Sequence, residues 1–302
     1  MQNKKKIEIV VGFACNNNCK FCSVGRRTLN KTTEEIKKDI DRAAKENPYE
    51  LNFTGGEPTI RKDIIELVKY AKSKIDEIRV TTNGRMFSYP EFTKKIVDNG
   101  LTGAIFSIHA DRPEIHDYLT SVKGSFKQAI KGIENLSKYS NNISINTVIT
   151  SKNYKNLPNM VHFLIKKFKI RSFCFIFPDI DGNIINNKEL IANYETVSPV
   201  IEQAMSITKK NKIPSWVLNI PACFLPEKIR NIAFMKLKTK MYWPDMDTDL
   251  DSKKTEDKIK MKECERCMFF SICKGIPKKY IEIKKLKKIK PIIGEKITES
   301  PY

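Results

Sequence analysis

The sequence predicts an α/β fold in which repeated βα units build a parallel sheet, followed by a smaller cysteine-bearing module. Two observations predict it. Between residues 7 and 177, short apolar, β-branched runs alternate with longer helix-like stretches at a fairly regular spacing. Near residue 213 this rhythm changes, prolines cluster, and a polar, charge-dense stretch follows over residues 245–262. The chain has 302 residues, 40% of them hydrophobic, and can therefore bury a full core.

Six apolar runs in the first part of the chain have the length and composition of strands. The predicted strands are Ile7–Val11, Glu50–Thr54, Ile78–Thr82, Ala104–Ile108, Ile143–Ile149 and Ser172–Phe177.

Helices are predicted after each of these strands, over residues 33–46, 61–74, 91–98, 126–138, 156–168 and 195–210. The first helix begins with a capping box, in which Thr32 caps the helix and Glu35 follows three residues later. In the second helix, Ile64 and Val68 recur at helical spacing. Six βα units therefore precede a boundary near residue 212, which divides the chain into a core of residues 1–212 and a module of residues 213–302.

The N-terminal apolar run Ile7–Val11 is too short for the core of a signal peptide or for a membrane span. No other apolar run in the chain approaches the length of a membrane span. We therefore expect a cytoplasmic protein with no membrane partner. In that reducing compartment the eight cysteines are not expected to pair as disulfides, and the grouping of seven of them into two sets favours metal binding. The net charge of +20 comes from lysines spread over most amphipathic segments, which favours a solvated surface, while RNA and acidic peptides stay open as partners.

Three cysteines, Cys15, Cys19 and Cys22, follow the first predicted strand with spacings typical of a tight metal-binding loop. A cubane iron–sulfur cluster ordinarily takes four cysteine ligands, one for each iron. Three ligands leave one iron open, and an open position distinguishes a site for chemistry from a structural site. The alternatives are a zinc site, which would want a fourth ligand nearby, and coincidence.

This loop, with Phe21 just before the third cysteine, resembles the signature of the radical S-adenosylmethionine (SAM) superfamily. The segment Gly55–Pro58 after the second strand resembles the Gly-Gly-Glu-Pro segment of that family, which lies along the methionine part of SAM. Polar residues at later strand ends fit the same pattern, although a capping or turn role is open for each of them. The residues that the resemblance implies for SAM binding are Phe21, Gly55, Gly56, Glu57, Pro58, Asn83, Ser107 and Asn146.

A second cysteine set, Cys264, Cys267 and Cys273, resembles the core of the auxiliary-cluster modules called SPASM and twitch domains. Cys223 supplies a fourth ligand, so the resemblance implies one auxiliary 4Fe-4S cluster in a twitch-like module. A structural zinc site with the same four thiolates is the alternative. The eighth cysteine, Cys174, lies in an apolar run and is expected to pack in the core.

The resemblance implies a partial (β/α)6 TIM barrel with a small auxiliary-cluster module and a basic C-terminal tail. The implied activity is reductive cleavage of SAM by a 4Fe-4S cluster, giving a 5'-deoxyadenosyl radical that abstracts hydrogen from a substrate. The expected partners are a ribosomally made peptide as substrate and an electron donor such as flavodoxin or ferredoxin. The alternatives are an enzyme of cofactor or small-molecule biosynthesis, an RNA-modifying enzyme, and a non-enzymatic iron–sulfur or zinc protein. No hydrogen donor or acceptor is assigned.

Overall fold

The computed structural model describes residues 5–25, 27–234, 238–244, 247–249 and 257–298. Within these residues, nine strands form one curled sheet, a half-barrel that is open on one side. These strands are β1 (Lys6–Val10), β2 (Glu50–Thr54), β3 (Ile78–Thr82), β4 (Gly103–Ser107), β5 (Ile143–Val148), β6 (Ser172–Ile176), β7 (Ser215–Leu218), β8 (Thr239–Tyr242) and β9 (Asp247–Asp249). Their order is β7-β6-β5-β4-β3-β2-β1-β8-β9, and only the last pair is antiparallel. A small antiparallel pair, β10 (Lys258–Ile259) and β11 (Ile276–Pro277), follows in the chain.

The predicted fold class is confirmed, and each of the six predicted strands is present. Strands β2 and β3 have the predicted bounds, and the other four differ by one residue at one or both ends. Sequence analysis missed β7 and β8, which pair with β6 and β1 and extend the parallel sheet at its two edges. Both follow residue 212, so residues on either side of the predicted boundary contribute to one sheet. The boundary itself stays a prediction.

The helices among the described residues are α1 (Thr33–Lys45), α2 (Ile64–Lys72), α3 (Pro90–Asp98), α4 (Pro113–Thr120), α5 (Ser125–Leu136), α6 (Leu157–Lys167), α7 (Tyr194–Lys210) and α8 (Lys278–Lys284). Helices α4 and α8 were not predicted. The predicted start of α2 at residue 61 is three residues early, because Arg61 binds the carboxylate of Asp63 with two of its nitrogens and holds a turn there. Among the described residues, no helix is both long enough and apolar enough to cross a membrane.

The start of α1 shows how local sequence sets a helix boundary. The side chain of Thr32 accepts the backbone N–H of Glu35 at 3.2 Å, and the Glu35 carboxylate accepts the N–H of Thr32 at 2.7 Å. This is the predicted capping box. Behind it, Ile36, Ile40 and Ala43 are fully buried against the sheet, which matches the apolar spacing of an amphipathic helix.

A buried polar network closes the half-barrel at the N-terminal ends of the strands. Glu50 on β2 lies 3.2 Å from both Lys6 on β1 and Arg79 on β3. Arg79 also donates to the Ser144 hydroxyl at 2.8 Å, which in turn is bonded to Ser172 on β6. Burial alone would raise the pKa of Glu50, but the charges of Lys6 and Arg79 outweigh it and lower that pKa. The network therefore joins five strands from the concave side.

We expect Arg79→Ala to lower the free energy of unfolding by about 3–5 kcal/mol, because it removes one partner of a buried ion pair. The matched control is Lys94→Ala, which breaks the exposed pair with Asp98 and is expected to cost less than about 1 kcal/mol. Urea unfolding followed by circular dichroism measures both. Equal losses in the two variants would show that the network does not stabilise the barrel.

Candidate active site

The cysteine loop, residues 12–22, leaves β1 at the C-terminal end of the sheet. Asn30 anchors its start, since its Oδ1 accepts the backbone N–H groups of Phe13 at 3.0 Å and of Ala14 at 3.2 Å. Burial and the neighbouring Cys15 and Cys22 raise the pKa of Cys19. Burial likewise raises the pKa of Cys15 to about 11. The thiols of Cys15 and Cys22 thus lie close enough to Cys19 to oppose its ionisation, which a bound metal cluster would relieve.

The Gly55–Gly56 pair packs directly against this loop. The N–H of Gly56 donates to the carbonyl of Gly12 at 2.9 Å. A Cβ on Gly55 would lie 2.2 Å from that same carbonyl oxygen, and a Cβ on Gly56 would lie 2.2 Å from the carbonyl oxygen of Ala14. Gly55 also has a φ of +131°, which other residues rarely adopt. The glycines therefore allow close contact between two backbones, a role that was not predicted from the sequence.

Glu57 is buried beneath the glycine pair and connects it to β3. Its carboxylate accepts the N–H of Asn83 at 2.6 Å and the hydroxyls of Thr82 at 2.8 Å and Thr59 at 2.5 Å. Burial raises the pKa of Glu57, although these hydrogen bonds oppose the shift. Pro58, also buried, begins the short 3-10 turn that follows. The Glu57 side chain therefore positions neighbouring backbone, while the N–H groups of Gly56 and Glu57 donate to the carbonyls of Gly12 and Ala14 in the cysteine loop.

Asn83 and Arg85 hold the cysteine loop from the end of β3. Asn83 donates its side-chain amide to Asn16 Oδ1 at 2.7 Å and accepts the N–H of Arg85 at 3.0 Å. The Arg85 guanidinium donates to the Asn16 carbonyl and to Asn17 Oδ1, the latter at 3.1 Å. Asn83 was predicted from the sequence and Arg85 was not, although its position directly after the strand-end pair Asn83-Gly84 was an available signal.

Two further segments contact the loop from the opposite side. The carbonyls of Leu119 and Thr120, at the end of α4, accept the N–H groups of Lys20 and Asn18. Asn183, in the segment after β6, donates its side-chain amide to the carbonyl of Cys19 at 2.8 Å, and its own N–H donates to the carbonyl of Cys22. Sequence analysis missed Asn183 too, since its partner lies more than 160 residues away in the chain.

Phe21 is buried behind the loop and packs edge-on against His109, with ring centroids 4.6 Å apart. His109 accepts the N–H of Val148 on its Nδ1, and His116 accepts the N–H of His109 on its Nδ1. An Nδ1 that accepts leaves each ring neutral with its proton on Nε2. Burial lowers the pKa of His116 to about 4 and also lowers that of His109. The histidines thus support Phe21 as neutral packing groups.

Ser107 and Asn146 are register partners on β4 and β5, so their side chains share a face of the sheet. Cys174 is the next residue of the same row on β6. The charges of Lys6 and Glu8, on β1, reach the Cys174 thiol, which places this row on the concave side of the half-barrel. Cys174 is therefore buried as predicted, on the concave side of the sheet and outside the main cluster of packed apolar side chains.

The second cysteine set converges on one small cavity. Cys223, Cys264, Cys267 and Cys273 all line it, although 41 residues separate the first two in the chain. Burial, and then the three neighbouring thiols, raise the pKa of Cys223 to about 12. The predicted fourth member, Cys223, thus lies with the other three.

Residues 291–298 of the basic C-terminal tail lie against this second set. Met268 donates its N–H to the carbonyl of Ile292 at 2.7 Å, and Ile297 donates to the carbonyl of Met268 at 2.9 Å. Lys296 donates to the carbonyl of Cys267 at 3.0 Å. Residues 291–298 therefore form part of the wall around the cysteines.

The donor sets fit iron–sulfur clusters in number. In the part of the chain that the structure describes, no group of three or more His, Cys, Asp or Glu side chains is arranged around a single metal ion. Each cysteine of a cubane cluster binds a different iron, so its ligands lie farther apart than those of one ion. Three thiols on the first loop could hold a cluster with one open iron, and four around the second cavity could hold a closed one.

The sequence profile of the radical SAM superfamily matches residues 9–164. A "Probable GTP 3',8-cyclase" of Thermococcus kodakarensis is 35% identical over 50% of this chain and 50% of its own length. An Fe-coproporphyrin III synthase of Methanosarcina barkeri is 28% identical over 68% of this chain and 53% of its own. The mycofactocin maturase MftC of Mycolicibacterium smegmatis is 32% identical over 48% of this chain and 38% of its own. The chain thus spans about half the length of these relatives, or less.

Solved structures with the same fold include Streptococcus suis SuiB bound to S-adenosylmethionine. It superposes with a TM-score of 0.67 over 96% of this chain and 76% of its own, at 15% identity. SuiB bound to its precursor peptide SuiA gives a TM-score of 0.58 over 70% of this chain and 48% of its own, at 17% identity.

We expect Gly55→Ala to prevent the cysteine loop from holding iron, because the new Cβ would meet the Gly12 carbonyl at 2.2 Å. The variant should bind about four iron atoms fewer per chain than the wild type after anaerobic reconstitution. Gly124→Ala is the matched control, since Gly124 also has a positive φ but a Cβ there meets nothing within 4 Å. Equal iron loss in both variants would mean that backbone strain, and not the contact, is responsible.

Proposed function

This chain belongs to the radical SAM superfamily of enzymes, and we propose that it modifies a peptide through radical chemistry begun at the Cys15, Cys19 and Cys22 loop. The observation that carries the proposal is the packing of the Gly55–Gly56 backbone on that loop. It brings the three thiols and the main-chain groups of the glycine segment to one place at the C-terminal mouth of the half-barrel, where ligands of such folds bind.

Family members use a 4Fe-4S cluster and SAM, which together supply a one-electron cleavage of the sulfonium that yields a 5'-deoxyadenosyl radical. In this chain the three cysteines would bind three of the four irons. The main chain of Gly55–Pro58 would receive the methionine part of SAM, while Ser107 and Asn146 would face it from the concave side. Phe21 would pack behind the cluster.

The second cysteine set would hold an auxiliary 4Fe-4S cluster. Support comes from the four thiols around one cavity and from the tail that covers it. The aromatic rings of Phe177, Tyr194 and Phe224 pack in a row from the end of β6 to the residue after Cys223, with centroids 4.4 and 5.0 Å apart. This row ties the auxiliary site to the mouth of the half-barrel, close to where a substrate would react.

A peptide is the substrate class that the open side of the half-barrel favours. Among the described strands, β7 ends the sheet on one side and β9 on the other, and the two are not paired. An extended chain can enter such an opening and reach the concave row of Ser107, Asn146 and Cys174. MftC, a maturase, shares 32% identity with this chain, and SuiB, bound to its precursor peptide, shares the fold.

A small-molecule substrate is the second candidate, because the alignment with Fe-coproporphyrin III synthase covers 68% of this chain. Incubation with the reduced enzyme and SAM separates the two candidates. A short peptide encoded beside this chain should change in mass and should increase 5'-deoxyadenosine formation. Iron coproporphyrin III, tested in parallel, should do neither. Turnover of the porphyrin without peptide modification would contradict the peptide assignment.

The two cysteine sets can be tested by reciprocal variants, each lacking three thiols. The Cys15, Cys19 and Cys22 triple alanine variant should keep about four iron atoms per chain and form no 5'-deoxyadenosine with dithionite and SAM. The matched Cys264, Cys267 and Cys273 triple alanine variant should also keep about four, yet still form 5'-deoxyadenosine.

Either of two results would count against these assignments. Zinc in place of iron in the first variant would refute the auxiliary cluster. Failure of the fully loaded wild type to form 5'-deoxyadenosine would refute the radical activity.

A further inference from the structure

A cleft on the outer side of the cysteine loop lies next to the residues between the cysteines. Its walls come from three segments: the loop itself, the end of α4, and the stretch after β6. Asn18 and Lys20 line it from the loop, Ser121 from α4, and Asn183 from the third segment. We call it the outer cleft. Its described lining includes Lys20 and Arg27 as charged side chains and contains no carboxylate.

An exposed aromatic residue stands beside the outer cleft between two lysines. Tyr118 is 42% exposed. The ammonium group of Lys20 lies 5.0 Å from the centre of its ring, and that of Lys152 lies 6.0 Å from it. Among the described residues, neither lysine has a carboxylate within ion-pair distance. An exposed ring between unpaired cations is a feature of protein interfaces, where aromatic and charged groups combine to bind a partner.

The two sides of the cysteine loop face different environments. Asn16 is bound by Asn83 and Arg85 from the end of β3, on the side where the glycine segment lies. Asn18 and Lys20 face outward into the outer cleft. A partner in the outer cleft therefore touches the loop that carries the cysteines without entering the space that SAM and substrate need.

We infer that the outer cleft, with Tyr118 and Lys152, docks an acidic electron-transfer protein. The inference rests on the proposed function, because the cluster on this loop must receive one electron before SAM is cleaved. In this step the carrier's reduced cofactor loses one electron and the cluster gains it, and no bond forms or breaks. Electron-transfer partners form small, transient interfaces that complementary charge steers together. The excess of positive charge here requires a negatively charged surface on the carrier.

The test measures 5'-deoxyadenosine with two reductants, dithionite and flavodoxin reduced by NADPH and its reductase. The docking variant carries Arg27→Glu, in the outer cleft, and Lys152→Glu beside Tyr118. The control variant carries Lys138→Glu and Lys210→Glu, the same change in charge. Lys138 follows the C-terminal end of α5 and Lys210 is the last residue of α7, so both lie at the opposite end of the half-barrel.

With flavodoxin, the docking variant should show a KM for flavodoxin raised at least about tenfold, and the control variant a change of less than about twofold. With dithionite, a small ion that needs no docking surface, both variants should match the wild type. Equal KM values for flavodoxin in the two variants would overturn the docking surface. A wild type inactive with dithionite would instead refute the proposed function, and the inference with it.

A direct binding measurement tests the docking surface even if the docking variant also loses activity with dithionite. Fluorescently labelled flavodoxin should bind the reconstituted wild type and the control variant, with affinity that falls as salt rises, and should bind the docking variant at least about tenfold more weakly. Salt-independent or equal binding to both variants would overturn the inference. So would binding of an RNA oligonucleotide that depends on Arg27 and Lys152 while flavodoxin binding does not, since that result would assign the cleft to nucleic acid.

Discussion

The contact between two backbones, the glycine pair and the cysteine loop, is the constraint on which the site depends. With any side chain at residues 55 or 56, a Cβ would come within 2.2 Å of a carbonyl oxygen of the loop. The contact fixes where the thiols lie relative to the mouth of the half-barrel. Glu57, next to the glycine pair, accepts the N–H of Asn83 at the end of β3, and the Asn83 side chain donates to Asn16 in the loop. Residues that follow β1, β2 and β3 therefore hold the loop together.

The two ends of the half-barrel differ: buried ion pairs hold the strands together at one end, and polar side chains are accessible to a ligand at the other. At the N-terminal ends of the strands, the network of Lys6, Glu50 and Arg79 fills the concavity with paired charges. At the C-terminal ends, Ser107 and Asn146 remain half-buried on the concave side. A substrate that enters through the open side therefore meets polar side chains beneath the site, with the auxiliary cysteines near the edge formed by β7.

The six internal strands and most helices could be predicted because their signals are local: β-branched runs, amphipathic spacing and a capping box. Strand β8 could not, since its residues join β1 only through pairing across more than 200 residues. The cysteine spacing and the Gly-Gly-Glu-Pro segment are local too, and they indicated the site. Arg85 and Asn183 were not predicted as site residues, because their hydrogen-bond partners are distant in the sequence. The burial of Phe21 against His109, and the place of Cys174 in the concavity, likewise required the three-dimensional arrangement.

The central claim is that Cys15, Cys19 and Cys22 hold a cluster with one iron open to SAM. Electron paramagnetic resonance of the reduced Cys264, Cys267 and Cys273 triple alanine variant, with and without SAM, tests it most directly because no auxiliary signal overlaps. The account predicts a 4Fe-4S signal whose g values shift when SAM is added. A signal that SAM leaves unchanged, at a concentration where binding of SAM is demonstrated independently, would contradict it.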